Sequence, residues 1–355
     1  MSWKKKLFTI AAGIDEQLDN LKEKIKTRFH LQDDYDIIPF RTYGTADHIY
    51  VRGRLVEKQH IEKSAVSGST WSNLVNMYRR FETDEVPGAE IKLTIAGIEY
   101  TAVTDHEGYF IFSIKPVAPQ YSAELYNTYT LAAVSKKDTM VFAEAEVMIP
   151  PAKAGYGIIS DVDDTIIQTG ATDLTAMLKT VLFSNAKTRL PFEGVTEFYK
   201  KLQLGKTGNE VNPFFYVSSG PWNLYDLITD FMDIHEIPQG PLLLRDFGIR
   251  SDTFLTHDYL GHKFKEIKQV LDTYPSLNFI LIGDSGEQDP VIYYEVVKHF
   301  PGRILAVYIR DMDNEEKRTV AVEMAAKMKD LSVEMVLTPH SAAAMAHAKQ
   351  NGFIV

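Results

Sequence analysis

No cysteine occurs among the 355 residues, which excludes disulfide scaffolds, thiolate zinc sites and cysteine nucleophiles. No apolar run approaches the roughly 18 residues of a membrane-spanning helix. Positive charge is scarce. Lys and Arg number 38 against 48 Asp and Glu, a formal net charge of −10, which argues against a nucleic-acid-binding surface over the whole chain. No internal repeat and no low-complexity tract is found. No signal peptide is read either: Met1-Ser2-Trp3-Lys4-Lys5-Lys6 is basic, but the apolar stretch Leu7 to Ile14 is short and meets Asp15 and Glu16. A cytoplasmic location is expected by default. The remaining composition, 45% hydrophobic and 24% charged, is that of an ordinary globular protein with length for two or three domains.

Three segments are expected. Residues 1–36 hold an N-terminal amphipathic helix and a linker, because Leu7, Ile10, Ile14, Leu18, Leu21 and Ile25 recur at three- and four-residue steps. Through residue 28 this piece carries seven Lys/Arg and four Asp/Glu, so +3 (7 − 4) on an acidic chain. Such a helix suits an anionic membrane surface, or docking on protein. Residues 37–150 change to short strands: His48 to Val56, Ile91 to Ile95, Tyr100 to Val103, Tyr109 to Phe112, Tyr129 to Ala133 and Val141 to Ile149. These predict a small β-sandwich, with a helix from Trp71 to Phe81 among them. The Asp105-His106-Glu107-Gly108-Tyr109-Phe110 turn resembles that of transthyretin-like sandwiches. No set of residues there carries chemistry, and His106 reads as a solvated turn residue. Pro150 and Pro151 fit a linker, since proline blocks helix and central strand alike. Residues 151–355 then alternate strand and helix, which predicts an α/β doubly wound parallel sheet.

The chemistry concentrates in that third segment. Gly157-Ile158-Ile159-Ser160-Asp161-Val162-Asp163-Asp164-Thr165 is an apolar run that ends in three carboxylates. Ligands of open parallel sheets sit where such strands end. Two acids at i and i+2 face the same way, and a cation compensates for bringing them together. Mg²⁺, which favours one or two carboxylates plus phosphate oxygens, is the expected ion. Three further stretches follow in order: Phe214 to Val217 running into Ser218-Ser219-Gly220-Pro221-Trp222-Asn223; Leu260-Gly261-His262-Lys263; and Phe279 to Ile282 running into Gly283-Asp284-Ser285-Gly286-Glu287-Gln288-Asp289-Pro290.

This order resembles the haloacid dehalogenase superfamily of phosphotransferases. The wording of the second and fourth stretches resembles one branch, the family of the yeast actin-patch-associated phosphatidate phosphatase. The resemblance covers about residues 150 to 350. It implies Asp161 as nucleophile, forming an aspartyl-phosphate, and Asp163 as general acid and base. It implies Ser218 as donor to a transferring oxygen and Lys263 as the cation that neutralises Asp161 and the phosphoryl group. Asp161, the carbonyl of Asp163 and Asp284 would hold Mg²⁺, with Asp289 behind them and Thr165 bonding the loop. The turn Ser219-Gly220 is expected to open a helix whose N–H groups face the phosphate. Asp164 points the other way in a strand, and Arg245 either clamps phosphate or pairs with Asp246. Neither joins the set. The gaps Thr165 to Phe214 and Ser218 to Lys263 leave no room for a large cap, so the site would admit bulky substrates or lipid headgroups. The substrate implied is phosphatidate or a related lipid phosphate, with peripheral membrane contact. A phosphatase for a soluble phosphomonoester, a non-catalytic adaptor and a metal-binding module remain as alternatives. The protein partner of the sandwich is not identified by sequence.

Overall fold

The computed structural model of the chain describes residues 35–57, 86–117, 124–135, 138–163, 165–166, 191–245 and 259–355. The helices expected at 4–28, 71–81 and 172–183 lie outside these residues, as do Asp164 and much of both gaps on which the uncapped reading rests.

Eight strands precede the motif-bearing segment: β1 (Tyr35–Pro39), β2 (Thr42–Thr45), β3 (His48–Glu57), β4 (Glu90–Ile95), β5 (Ile98–Val103), β6 (Tyr109–Ile114), β7 (Tyr126–Val134) and β8 (Met140–Met148). β3 pairs antiparallel with β1, β2 and β6, and β8, β7, β4 and β5 pair antiparallel in that spatial order. The short β2 joins the two halves by pairing parallel with β8. Alternation explains the burial: Ile49, Val51 and Leu55 of β3, Ile91, Leu93 and Ile95 of β4, and Leu131 and Ala133 of β7 all point into one core between the halves.

Residues from Gly157 onward form a six-stranded, wholly parallel sheet: β9 (Gly157–Asp161), β10 (Phe214–Pro221), β11 (Leu242–Arg245), β12 (Phe279–Asp284), β13 (Ile304–Arg310) and β14 (Glu334–Thr338). Their spatial order is β11-β10-β9-β12-β13-β14. β9 and β12 begin as apolar runs and are buried along their whole length, as parallel strands covered on both faces must be. One face is covered by α1 (Val195–Leu204), α2 (Tyr225–Ile234) and α6 (Ser341–Gln350). The other is covered by α3 (Tyr259–Thr273), α4 (Asp289–His299) and α5 (Glu315–Asp330). Local signals place the helix ends. Asn314 caps α5 by accepting from the Lys317 N–H at 3.1 Å, and Pro290 sits in the first turn of α4.

The connection expected at Pro150 and Pro151 is packed: Ile149 and Pro151 are buried, and the Ile149 N–H donates to the Leu125 carbonyl at 2.8 Å. Met148 and Tyr43 of the first unit lie in the core beside Phe215 and Tyr274, and Phe40 and Tyr109 lie in the core on the opposite face. The sequence predicts a helix from Trp222 to Asp233 opened by the turn Ser219-Gly220; the helix is present, and the turn is part of the strand before it. β10 continues to Pro221, a 3-10 turn follows at Trp222–Leu224, and only then does α2 start.

Gly157 opens β9 against the buried ring of Phe279 on β12. A Cβ there would meet that ring at 2.4 Å. Overpacking of this kind costs about 1–3 kcal/mol. Gly157→Ala is therefore expected to lower the denaturant midpoint of unfolding by that equivalent. An unchanged midpoint would show that the strand has room to shift.

Candidate active site

Chain order places the site. From β9 the chain moves outward through β10 and β11, then returns to the other side for β12, β13 and β14. The carboxyl ends of β9 and β12 thus flank the switch point of the sheet, the place where open parallel sheets hold their ligands. Asp161 ends β9 and Asp284 ends β12. Ser218 lies one residue past the last β9–β10 pair, Asp161↔Val217. Lys263 comes from the second turn of α3, and Asp289 opens α4.

All of the sequence-predicted residues come to this edge. Lys263, 2% exposed, sets its Nζ 2.7 Å from Asp161 Oδ1, 2.7 Å from Asp289 Oδ1 and 2.8 Å from Glu287 Oε2. Burial opposes the ammonium, but Asp161, Asp289 and Glu287 outweigh it and hold Lys263 protonated well above the usual lysine range. Asp161 is pushed well above the usual carboxylate range by burial, against the pull of Lys263, and Asp289, Glu287 and Asp284 push it further. Asp284 is raised well above its ordinary value by burial and then by Asp289. Asp284 Oδ1 accepts the Gly286 N–H at 2.6 Å and the Glu287 N–H at 3.0 Å, while Oδ2 has a long 3.5 Å contact from the Thr165 hydroxyl. Asp289 Oδ2 accepts the Asp284 N–H at 3.2 Å, so Asp289 holds both the lysine and the strand end. Gly283 is needed beside it, because a Cβ there would fall 2.3 Å from Asp289 Oδ2.

On the β10 side, Ser218 Oγ donates to Asp163 Oδ2 at 2.8 Å and accepts the Gly220 N–H at 2.9 Å. A hydroxyl has one proton, and here it goes to Asp163 rather than outward. Ser218 therefore holds the Asp163 carboxyl in place.

Sequence reasoning left Glu287 unassigned. It sits between the two acids of Gly283-Asp284-Ser285-Gly286-Glu287-Gln288-Asp289, and only the fold shows that it reaches Lys263. Arg310 was missed too. It ends β13 directly beside Asp284 and lies over the Phe192 ring at 3.9 Å.

Two sets of acids here have the composition of a metal site. Asp161, Glu287 and Asp289 each bring one oxygen within 4.8 Å of the others. Those oxygens already converge on the Lys263 ammonium. The second set is Asp161 and Asp284. Asp161 Oδ2 is buried and has no hydrogen-bond partner among the described residues, and Asp284 Oδ2 has only the long Thr165 contact. Among the described residues five carboxyl groups (Asp161, Asp163, Asp284, Glu287 and Asp289) gather at this edge, three of them on the Lys263 ammonium. This donor set fits a hard, oxygen-loving cation.

The family described as "Phosphatidate phosphatase APP1, catalytic domain" matches residues 156–311, which span every residue of this site. Phosphatidate phosphatase APP1 of Saccharomyces cerevisiae is 34% identical over 161 residues, 45% of this chain and 26% of that protein. An uncharacterized protein of Schizosaccharomyces pombe is 28% identical over 221 residues, 60% of this chain and 35% of its own length. The chain's matches thus span about a quarter to a third of the length of these curated relatives. Among solved structures, a carbohydrate acetylesterase from Xanthomonas citri aligns with 85% of this chain and 69% of its own at 12% identity and a TM-score of 0.30, a likeness too slight to bear on the fold.

The lysine hub yields a test. In Lys263→Met the stem volume stays but three buried or half-buried carboxylates lose their cation. Breaking a buried pair in this way costs about 3–5 kcal/mol. The variant is expected to unfold that much more easily and to recover part of the loss in millimolar Mg²⁺. Wild-type stability without added cation would show that the acids are not held by Lys263.

Proposed function

We propose that this chain is a Mg²⁺-dependent phosphomonoester hydrolase of the haloacid dehalogenase type, because residues 156–311 match the family of the phosphatidate phosphatase APP1 catalytic domain. One observation carries the mechanism: the buried Asp161 carboxylate has one oxygen on Lys263 and the other without a hydrogen-bond partner among the described residues. That second oxygen is the nucleophile. Asp161, Asp284 and the carbonyl of Asp163 would hold Mg²⁺, which when bound screens phosphoryl oxygens from the attacking carboxylate.

Asp161 Oδ2 attacks phosphorus, and the bond from phosphorus to the ester oxygen breaks. Asp163, held by Ser218 at 2.8 Å, gives its proton to the departing alkoxide. The product is an aspartyl-phosphate. Asp163, now a carboxylate, takes a proton from a water whose oxygen attacks phosphorus. The phosphorus–Asp161 bond breaks, inorganic phosphate leaves, and both acids return to their starting forms. Lys263 stays protonated throughout. It offsets charge on Asp161 and on the phosphoryl group, while Asp289 and Glu287 fix its position.

The substrate we propose is phosphatidate or a related lipid phosphate, by analogy with the activity named for the yeast relative. In this reading the protein works in the cytoplasm at a membrane surface. Among the described residues no helix is long and apolar enough to cross a membrane.

Phosphate release should be measured in a Mg²⁺ titration, with phosphatidate vesicles and with a soluble phosphomonoester. Phosphatidate is expected to be the better substrate; faster release from the soluble ester would favour a soluble-substrate phosphatase. Asp161→Asn should lose at least about 10³-fold in kcat. Its unfolding midpoint should hold or rise, since a buried like-charge neighbour is removed. Asp284→Ala should raise the Mg²⁺ concentration needed for half-maximal rate. Undiminished turnover in excess chelator would remove the metal from the mechanism.

A further inference from the structure

The chemical steps use no residue of the eight-stranded unit, yet that unit grips the loop that follows Ser218. Trp222 lies four residues beyond Ser218 and is 7% exposed. The Phe40 ring stacks on its indole at 4.5 Å with planes 19° apart. The Arg52 guanidinium lies over the indole at 4.3 Å from the centroid. Tyr109 backs both, 5.4 Å from Arg52 Cζ and 6.3 Å from the Phe40 ring. The two gripping residues are tied to each other by the Phe40 N–H, which donates to the Arg52 carbonyl at 2.9 Å. Beyond the indole, Phe40 meets Tyr225 at 4.6 Å, and the Arg41 N–H donates to the Tyr225 hydroxyl at 2.6 Å.

The loop has need of such a grip. Pairing of β10 with β9 ends at Val217, and pairing with β11 slips register between Val217 and Pro221. Ser218, Ser219 and Gly220 therefore appear in no strand register on either side. Within them the Gly220 N–H must stay 2.9 Å from Ser218 Oγ for that hydroxyl to send its proton to Asp163. Trp222 is the first large buried side chain past this gap.

We infer that the eight-stranded unit is a positioning element of the proposed phosphatase site: Phe40 and Arg52 fix Trp222, and through Gly220 and Ser218 they orient the Asp163 carboxyl. This rests on the phosphatase reading for the role of Asp163. The planar guanidinium matters because it can stack on the indole, which an ammonium does less well.

The test uses the full chain with Arg52→Met, which keeps an apolar stem over the ring, and with Arg52→Lys and Phe40→Leu. kcat and KM are measured with the ester that the wild type hydrolyses fastest, together with Tm. Acrylamide quenching of Trp222 is read in a Trp3→Phe, Trp71→Phe background. Arg52→Met is expected to lower kcat about tenfold with KM within about threefold, as a displaced catalytic group does. Its Tm should move by no more than about 3 °C, and Trp222 should quench more readily. Arg52→Lys should fall between Arg52→Met and wild type, and Phe40→Leu should follow Arg52→Met. Wild-type kcat in Arg52→Met overturns the inference. So does a rise in KM alone, which would mean that Arg52 touches substrate, or a kcat loss that disappears at temperatures where the variant is fully folded. If the wild type frees phosphate from no ester, the phosphatase reading fails, and quenching still decides the grip: unchanged protection of Trp222 in Arg52→Met overturns it.

Discussion

Lys263 neutralises only part of the negative charge gathered at the sheet edge, and much else in this structure follows from that shortfall. Three carboxylates converge on its Nζ, and Asp284 and Asp163 stand beside them. Each acid must then be steadied by neutral donors. Asp284 takes two backbone N–H groups from the loop after β12, Asp163 takes the Ser218 hydroxyl, and Asp289 takes the Asp284 N–H. Such donors favour the charged forms, but burial dominates and keeps the protons of Asp161, Asp284 and Asp289 more tightly held than in water. The sign for stability follows. A carboxyl raised by folding contributes stability below its unfolded value and loses it as pH rises through the folded one. The site favours its protons, or another cation in their place.

That arrangement depends on the sheet order. Asp161 and Asp284 are 123 residues apart in sequence (284 − 161) and become neighbours only because β9 pairs with β12 while β10 pairs with the other edge of β9. Lys263 reaches them from α3, whose Ile267, Val270 and Leu271 are buried against the same face as β12. The apolar faces of the helices thus set the reach of the lysine. Packing and chemistry are one constraint here.

Much of the site was legible because it obeys local rules. A buried strand ending in acids marks a sheet edge, and Asp161, Asp163, Ser218, Lys263, Asp284 and Asp289 all arrive there. What was not legible depended on partners far away in sequence. Glu287 looks like any loop acid until α3 brings Lys263 to it. β14 has no counterpart in the sequence reading: five residues with only Met335 and Thr338 buried give little alternation at the edge of the sheet. β1 and β2 were missed for a related reason, since Pro39 and Gly44 interrupt their patterns. The extension of β10 through Ser219-Gly220 was hidden because that pair carries turn chemistry whether a helix or more strand follows.

The prolines after β8 show the same limit at the scale of domains. Pro150-Pro151 ends the strand, as proline must where a ladder would need its N–H, but a chain break between units is a separate matter from independence. Tyr43 and Met148 complete the core on one face of the parallel sheet, and Phe40 and Tyr109 complete the core on the other. The Tyr274 hydroxyl, at the end of α3, donates to the Gly44 carbonyl at 2.9 Å. Arg41 pairs with Asp233 of α2 at 3.2 Å and with Glu146 of β8 at 3.5 Å. Removing the eight-stranded unit would uncover apolar side chains on both faces and strip the hydroxyl of Tyr274 of its acceptor. The two units therefore share a core, and helices that carry or follow the loops of the candidate site, α2 and α3, lie on the shared boundary.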